Sequence, residues 1–510
     1  MTPDLATTDP ALPKPAVPDR TMADCTTPDQ SRHDRRVIIV AALIFSALSA
    51  WMAIASRGFL EADGITHYLA RRFAIGQPFH MVGVWSRPLC VLLYSIPAKF
   101  AGLTGTRLMS LALVLVMLWM TLKVAARLNI ARPALVALFL LTQPLLFAHS
   151  FSELTEIPFA LLMIAAMWAY ASRSFVILAL LASFSPLARP EGFGLILMVA
   201  LALGAHRKLW WLALLPIGVI TWCYAGWHVY GGPMEYPWYT WLRHNWPYSA
   251  DSMYGQGKAW WTKPGWFIAI LPAVIGPMAF PLIWIGAVRL CAAASDHHFN
   301  RLRRFFSDHL FRSRVLIVLV PLGVLIAHSA LWTLGKMASN GEPRYMLIAA
   351  PFWALLAAAG WQRVCELINI RQPLRWTALG AAVVVAANFA YPAFPLGEQD
   401  DDRIAADVSR WLDAHAELRQ NYPRFAAALP HLFMYRDLDR LDTARVVDSS
   451  RTVAANPPPG VIMIWHDVYS TSNSNEEYCI TEDLLLSNHW QPIHEIRRGR
   501  NVAIIFLSPR

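Results

Sequence analysis

No two cysteines in this 510-residue sequence form a CxxC pair. The six (Cys25, Cys90, Cys223, Cys291, Cys365, Cys479) are scattered, which argues against a zinc knuckle or a disulfide framework. Of these, only Cys90 and Cys479 are expected on the same outer side, and nothing further favours a bridge between them. Charge is scarce as well: 15% of residues are charged against 56% hydrophobic, and mean hydropathy is +0.37. Neither an internal repeat nor the paired broken helices of many transporters is evident. Acidic residues are thinnest before Gly397. From Gly397 onward there are 12 Arg or Lys and 17 Asp or Glu, so the net +10 divides into −5 there and +15 over residues 1–396. A basic excess confined to the apolar part points to topology and anionic membrane lipids, not to nucleic acid.

What is present is a series of apolar runs, each about as long as a membrane span. Residues 1–35 are proline-rich and read as a disordered cytoplasmic arm ending in Arg32, Arg35 and Arg36. The first run, Val37 to Ala55, is long for a signal peptide and its basic flank lies far from the start, so an anchor is preferred over a cleaved leader. Further runs cover Leu108 to Val124, Pro133 to about Phe147, Ile157 to Ser172 and Val176 to Leu187. A sixth returns to His206. Later ones are Leu209 to Val229, Trp266 to Val288, Val315 to Leu334, a tenth ending before Arg363, and Trp376 to Ala393. With about eleven spans, every Arg/Lys-dense loop falls on one side, including Arg301, Arg303, Arg304, Arg312 and Arg314. The N-terminus is then cytoplasmic and residues 397–510 exoplasmic. An outer loop, Tyr230 to Gly265, carries Trp238, Tyr239, Trp241, Trp246, Tyr248, Trp260 and Trp261. It reads as an interfacial aromatic belt, and a sugar platform is compatible with that.

After Gly397, a helical stripe (Ile404, Val408, Trp411, Leu412) precedes apolar strands at Val461–Trp465 and Val502–Leu507, with a third at Pro492–Ile496. The expected architecture is mostly α. It comprises a polytopic helical domain over residues 36–396, with an outer loop at 57–107, and a small C-terminal α/β domain over 397–510.

Carboxylates and guanidinium groups recur on the outer side: Glu61 and Asp63, Arg87, Glu153 and Glu156, and Arg344. Singly, each has a bland reading as a solvated turn, a headgroup anchor or a local pair; Asp63 and His67 fit an i, i+4 helical pair better than metal ligands. Their order along the chain resembles the GT-C superfamily of membrane glycosyltransferases, particularly bacterial relatives of the protein O-mannosyltransferases and aminoarabinose transferases. Glu61 and Asp63 look like the acidic motif of that family's first outer loop. Arg87-Pro88-Leu89, with Leu92-Leu93-Tyr94, is similar to its Lys-Pro-Pro-Leu-x-Tyr segment. Arg107-Leu108 matches the Arg-Leu that opens the next span, and Glu156-Ile157-Pro158 looks like its second acidic position. Arg189-Pro190-Glu191-Gly192 and Arg344-Tyr345 with Pro351 also recur in such proteins.

The resemblance implies an inverting transfer of a sugar from a polyprenyl-phosphate donor to a hydroxyl of a glycan, lipid or protein, at a bacterial inner membrane. Asp63 would be the base, with Glu61 and Glu156 as the other catalytic carboxylates. Arg87, Arg344 and Arg189 would hold the donor phosphate. Tyr68, Glu153, Trp85 and Tyr345 would contact acceptor or sugar. Ser86 stands where the family often has an acidic metal ligand, so no cofactor is assigned and a divalent cation is left open. A lipid-linked sugar flippase and a non-catalytic envelope assembly protein are the rival classes. The first predicts charges within the spans, which are few here.

Overall fold

The computed structural model describes residues 28–231, 236–246, 263–292, 308–337, 339–370, 372–390, 394–471 and 476–509. Residues 1–27 of the expected arm lie outside these, as do Arg301, Arg303, Arg304, Tyr248, Trp260 and Trp261. Helix α1 (Pro28–Ala55) starts inside the stretch expected to be disordered.

Helices α2 (Ala62–Phe73) and α3 (Pro78–Val82) form the outer loop. Helix α4 (Pro88–Leu128) joins the apolar stretch after Arg87 to the second predicted span. The two meet at Gly102, whose φ of 59° breaks the helical geometry at a conformation glycine adopts without a Cβ clash. The third predicted span is two short helices, α5 (Pro133–Leu141) and α6 (Pro144–His149), because Pro144 has no N–H to continue the ladder. Then come α7 (Glu156–Ala171), α8 (Phe175–Phe184), α9 (Gly192–Ala205) and α10 (Ile217–Val229). Beyond a short α11 (Trp241–His244), the eighth predicted span also proves to be two helices, α12 (Trp266–Ile275) and α13 (Ala279–Ala292), bent by 104°. Helices α14 (His309–Leu334), α15 (Ala350–Leu367) and α16 (Pro373–Ala390) complete the bundle.

Among the described residues five helices are long and apolar enough to cross a membrane, or six counting the bent pair as one. This makes the chain a multi-pass membrane protein, with fewer full-length helices than the apolar runs suggested. At about 1.5 Å per residue, α7 is about 24 Å long, short of a hydrocarbon core of about 30 Å. The stretch Pro343–Leu367 is the most enclosed of the five and α1 the least. Polar contacts gather the basic ends of the helices on one face. Arg132 pairs with Asp34, Arg289 with Glu366, Arg312 contacts His206, and Arg314 donates to the Leu128 carbonyl.

The C-terminal part is a four-stranded sheet in the order β1 (Arg424–Ala427), β2 (Val461–His466), β4 (Asn501–Leu507), β3 (Gln491–Arg498). The β1–β2 pair is parallel; the others are antiparallel. Helix α17 (Asp400–Ala414) has the predicted buried stripe of Ile404, Val408 and Leu412.

That domain rests on α2. Phe59, Ile65, Tyr68 and Leu69 share one apolar core with Ile404, Val408, Leu432 and Phe433. Arg72 forks onto Asp437 at 3.0 and 3.1 Å, and His80 meets Asp439 at 2.8 Å. At Gly58 the approach is so close that a Cβ would lie 2.0 Å from the Gly397 carbonyl oxygen. The loop that begins at Arg57 is thus pinned between bundle and domain. Cys90 and Cys479 are both free thiols.

Candidate functional site

Four carboxylates, two of them from the outer loop, gather around one guanidinium. Arg344 lies in a 3-10 turn, Pro343–Ala349, whose proline N-terminus aims the side chain back toward α2. Its Nη1 is 2.8 Å from Glu61, its Nη2 is 2.6 Å from Asp63, and its Nε contacts Glu342 and lies 3.8 Å from Glu156. Glu156, at the head of α7, also pairs with Arg189. Arg189 in turn holds Glu191 at 2.9 Å and Thr155 at 3.1 Å. Tyr345 donates to Asn340 at 2.5 Å and stacks on His328 at 4.9 Å, with the Arg189 and Arg344 guanidiniums 5.8 and 5.9 Å from its ring centre.

Within this group the carboxyls differ. Burial, opposed by Arg344 and reinforced by Glu342 and Glu156, pushes Glu61 up to about 9, so it keeps its proton at neutral pH. Asp63 is the more open of the two, with 35% of its side chain exposed against 27% for Glu61.

A second cluster adjoins the first. Helix α2 presents Asp63, His67 and Arg71 at i, i+4 and i+8, one stripe facing the bundle while Ile65, Tyr68 and Arg72 face the C-terminal domain. His67 stacks parallel to Trp85 at 6.3 Å. Burial, then Arg71, Arg87, Arg344 and Arg189, push its imidazole well below the usual histidine range, so it is neutral. Arg87, the residue before α4, has φ 63° and donates to the Val84 carbonyl at 3.2 Å. The segment carrying it is tied down by Trp222, which donates to the Val82 carbonyl at 2.7 Å and packs with Trp241 and Val84. Trp241 of the aromatic loop is therefore fully buried rather than interfacial.

Glu61, Asp63, Glu156, Arg189, Arg344 and Tyr345 thus come together, with Arg87 and Trp85 beside them through His67. Glu153 and Tyr68 stand apart. Glu153 is sealed against Arg107 at 2.5 Å, and that arginine also donates to the carbonyls of Ser56 and Gly58, both at 2.6 Å. Tyr68 is buried in the core shared with the C-terminal domain. Arg71 and His328 were not singled out from sequence, and Glu191 was named only within the Arg189-Pro190-Glu191-Gly192 motif; the polar i, i+4, i+8 stripe of α2 was a readable sign of Arg71. Among the described residues no group of three or more His, Cys, Asp or Glu side chains is arranged to hold a metal ion.

A helical membrane bundle with a short-helix outer loop, closed by a small α/β domain over a cluster of carboxylates and arginines, is a fold that this chain shares with a solved protein. The chain is similar to ArnT from Cupriavidus metallidurans bound to undecaprenyl phosphate, with 14% identity, TM-score 0.57, 92% of this chain and 97% of that chain covered. The apo state of the same protein gives 13% identity and TM-score 0.56 over the same shares. No family model matches the sequence, and no curated protein matches it by sequence.

Proposed function

We propose that the protein is an inverting glycosyltransferase that moves a sugar from a polyprenyl-phosphate donor to an acceptor hydroxyl at the outer face of a bacterial inner membrane. The observation that carries this reading is the pairing of a partly exposed carboxylate, Asp63, with a buried arginine cluster on the loop between bundle and domain. Asp63 takes the proton of the acceptor hydroxyl as its oxygen attacks the anomeric carbon. The bond from that carbon to the phosphate oxygen breaks, and polyprenyl phosphate leaves with the electron pair. Arg87, assisted by Arg189, meets the phosphate charge; guanidinium suits it because it stays ionised and donates in a fork. Arg344 orients Asp63 and Glu61 as a unit, and Glu156 ties Arg344 to Arg189. Trp85, 41% exposed, and Tyr345 offer faces to the sugar, while Glu153 and Tyr68 hold the loop from behind. The likeness to a protein solved with undecaprenyl phosphate supports the donor class.

The test is purified protein with radiolabelled polyprenyl-phosphate sugars, scored by released lipid phosphate. Asp63→Asn is expected to lower transfer by about 10²–10⁴-fold, the usual worth of general-base catalysis, while donor binding persists. Full transfer by Asp63→Asn would remove Asp63 from the chemistry.

A further inference from the structure

Besides Arg87, four buried arginines lie in or next to the site, and one of these four differs from the other three. Arg107, Arg189 and Arg344 are buried and each meets at least one carboxylate. Arg71 is equally buried, with 0% exposure, yet its Nε, Nη1 and Nη2 meet no hydrogen-bond acceptor among the described residues. Its guanidinium carbon lies over the Tyr94 ring, 4.0 Å from the ring centre. Such a contact supports the charge but supplies no oxygen acceptor for the N–H groups. Desolvated N–H groups without an acceptor are costly, and an arriving anion is what would satisfy them.

The surroundings fit that anion. Arg71, Arg87 and Arg189 all lie close enough to the buried Cys90 and to His67 to act on both electrostatically. Arg71 shares its helix face with Asp63, two turns away. A sugar phosphate lying along that face would put its sugar at the carboxylates and its phosphate at the arginines.

We propose that Arg71 is a phosphate ligand, forming with Arg87 a buried site for the monoester head of a polyprenyl phosphate. This rests on the donor class proposed above, but it concerns binding and is tested without turnover. The full chain in detergent is melted with a polyprenyl monophosphate, with inorganic phosphate and with phosphatidylglycerol. The polyprenyl phosphate is expected to raise the melting temperature most. A stronger effect of inorganic phosphate would overturn the lipid source, and one of phosphatidylglycerol would overturn the specific donor site.

Arg71→Met, of similar length and uncharged, is expected to melt at or above wild type without ligand and to need about tenfold more polyprenyl phosphate, or more, for half the shift. A variant that melts lower but keeps the wild-type half-saturating concentration would overturn the proposal and make Arg71 a packing partner of Tyr94. If Arg71→Met does not fold, Arg71→Lys decides: weakened ligand response supports the site and an unchanged one overturns it. The two readings fail separately. Binding without sugar transfer would sink the glycosyltransferase and leave the anion site; transfer with unaltered binding in both Arg71 variants would do the reverse.

Discussion

Glu61→Gln has a signature that few substitutions share: it should stabilise the protein, and only above a certain pH. Glu61 sits on Arg344 beside Glu342, and burial with its acidic neighbours raises it from 4.5 to about 9. In the unfolded chain the same carboxyl is ionised at neutral pH. Between those two values the folded state holds a proton that the unfolded state has released, so stability falls as pH rises. The loss is absent below about pH 4.5, grows through neutrality and levels off near pH 9. At about 1.36 kcal/mol per pH unit, it amounts to about 3 kcal/mol at pH 7. Glutamine copies the protonated carboxyl: its carbonyl accepts from Arg344 and its amide donates to Glu342. Melting of the purified full chain, followed by tryptophan fluorescence, should show the variant nearly level with wild type at about pH 5 and well above it at about pH 8. Transfer at neutral pH should stay near wild type, because Glu61 is already neutral there. A gap that does not change with pH, or a variant less stable throughout, would refute the protonated carboxyl.

Two further outcomes follow from the frame around the site. Arg107→Met strands Glu153, 1% exposed, and releases the carbonyls of Ser56 and Gly58, so unfolding should become easier by about 3–5 kcal/mol; a loss under about 1 kcal/mol would show that the pair does not hold the loop. For orientation, a cysteine at exposed Ser487 should be labelled in cells by a membrane-impermeant reagent and one at exposed Lys208 should not; the reverse pattern would place the carboxylates in the cytoplasm.

Five members of the cluster, Glu61, Asp63, Arg87, Glu156 and Arg344, were legible in the sequence from their order along the chain and their places near the ends of apolar runs. What order could not convey was pairing. Arg344 reads as a phosphate ligand in sequence, but the turn at Pro343 drives it among four carboxylates, a contact between residues about 280 positions apart. Arg71 was hidden for a different reason: next to Arg72 it looks like part of a basic helix end, yet Arg72 is taken up by Asp437 and the Ala98 and Lys99 carbonyls while Arg71 has only the Tyr94 ring. The apolar runs located the helices, but hydropathy does not register where a ladder breaks. Pro144 and the bend at Gly276, φ 97°, divide runs that look continuous. Strand β1, Arg424–Ala427, is four residues with two alanines, too short for a period-2 signal.

The clamped loop also explains how opposite charges stay useful at one site. Asp63 and Arg71 lie two turns apart on one helix face, about 12 Å along the axis, so neither neutralises the other. Arg344 reaches in from the turn before α15 and holds the acid at the start of α2, while Tyr94 of α4 holds the cation near its end. Both supports lie outside α2, so each contact depends on how that helix is docked. The docking is set by the C-terminal domain through Arg72–Asp437, His80–Asp439 and the core around Tyr68. The domain's contacts therefore fix where α2 sits against the bundle, and with it where Asp63 meets Arg344 and Arg71 meets Tyr94.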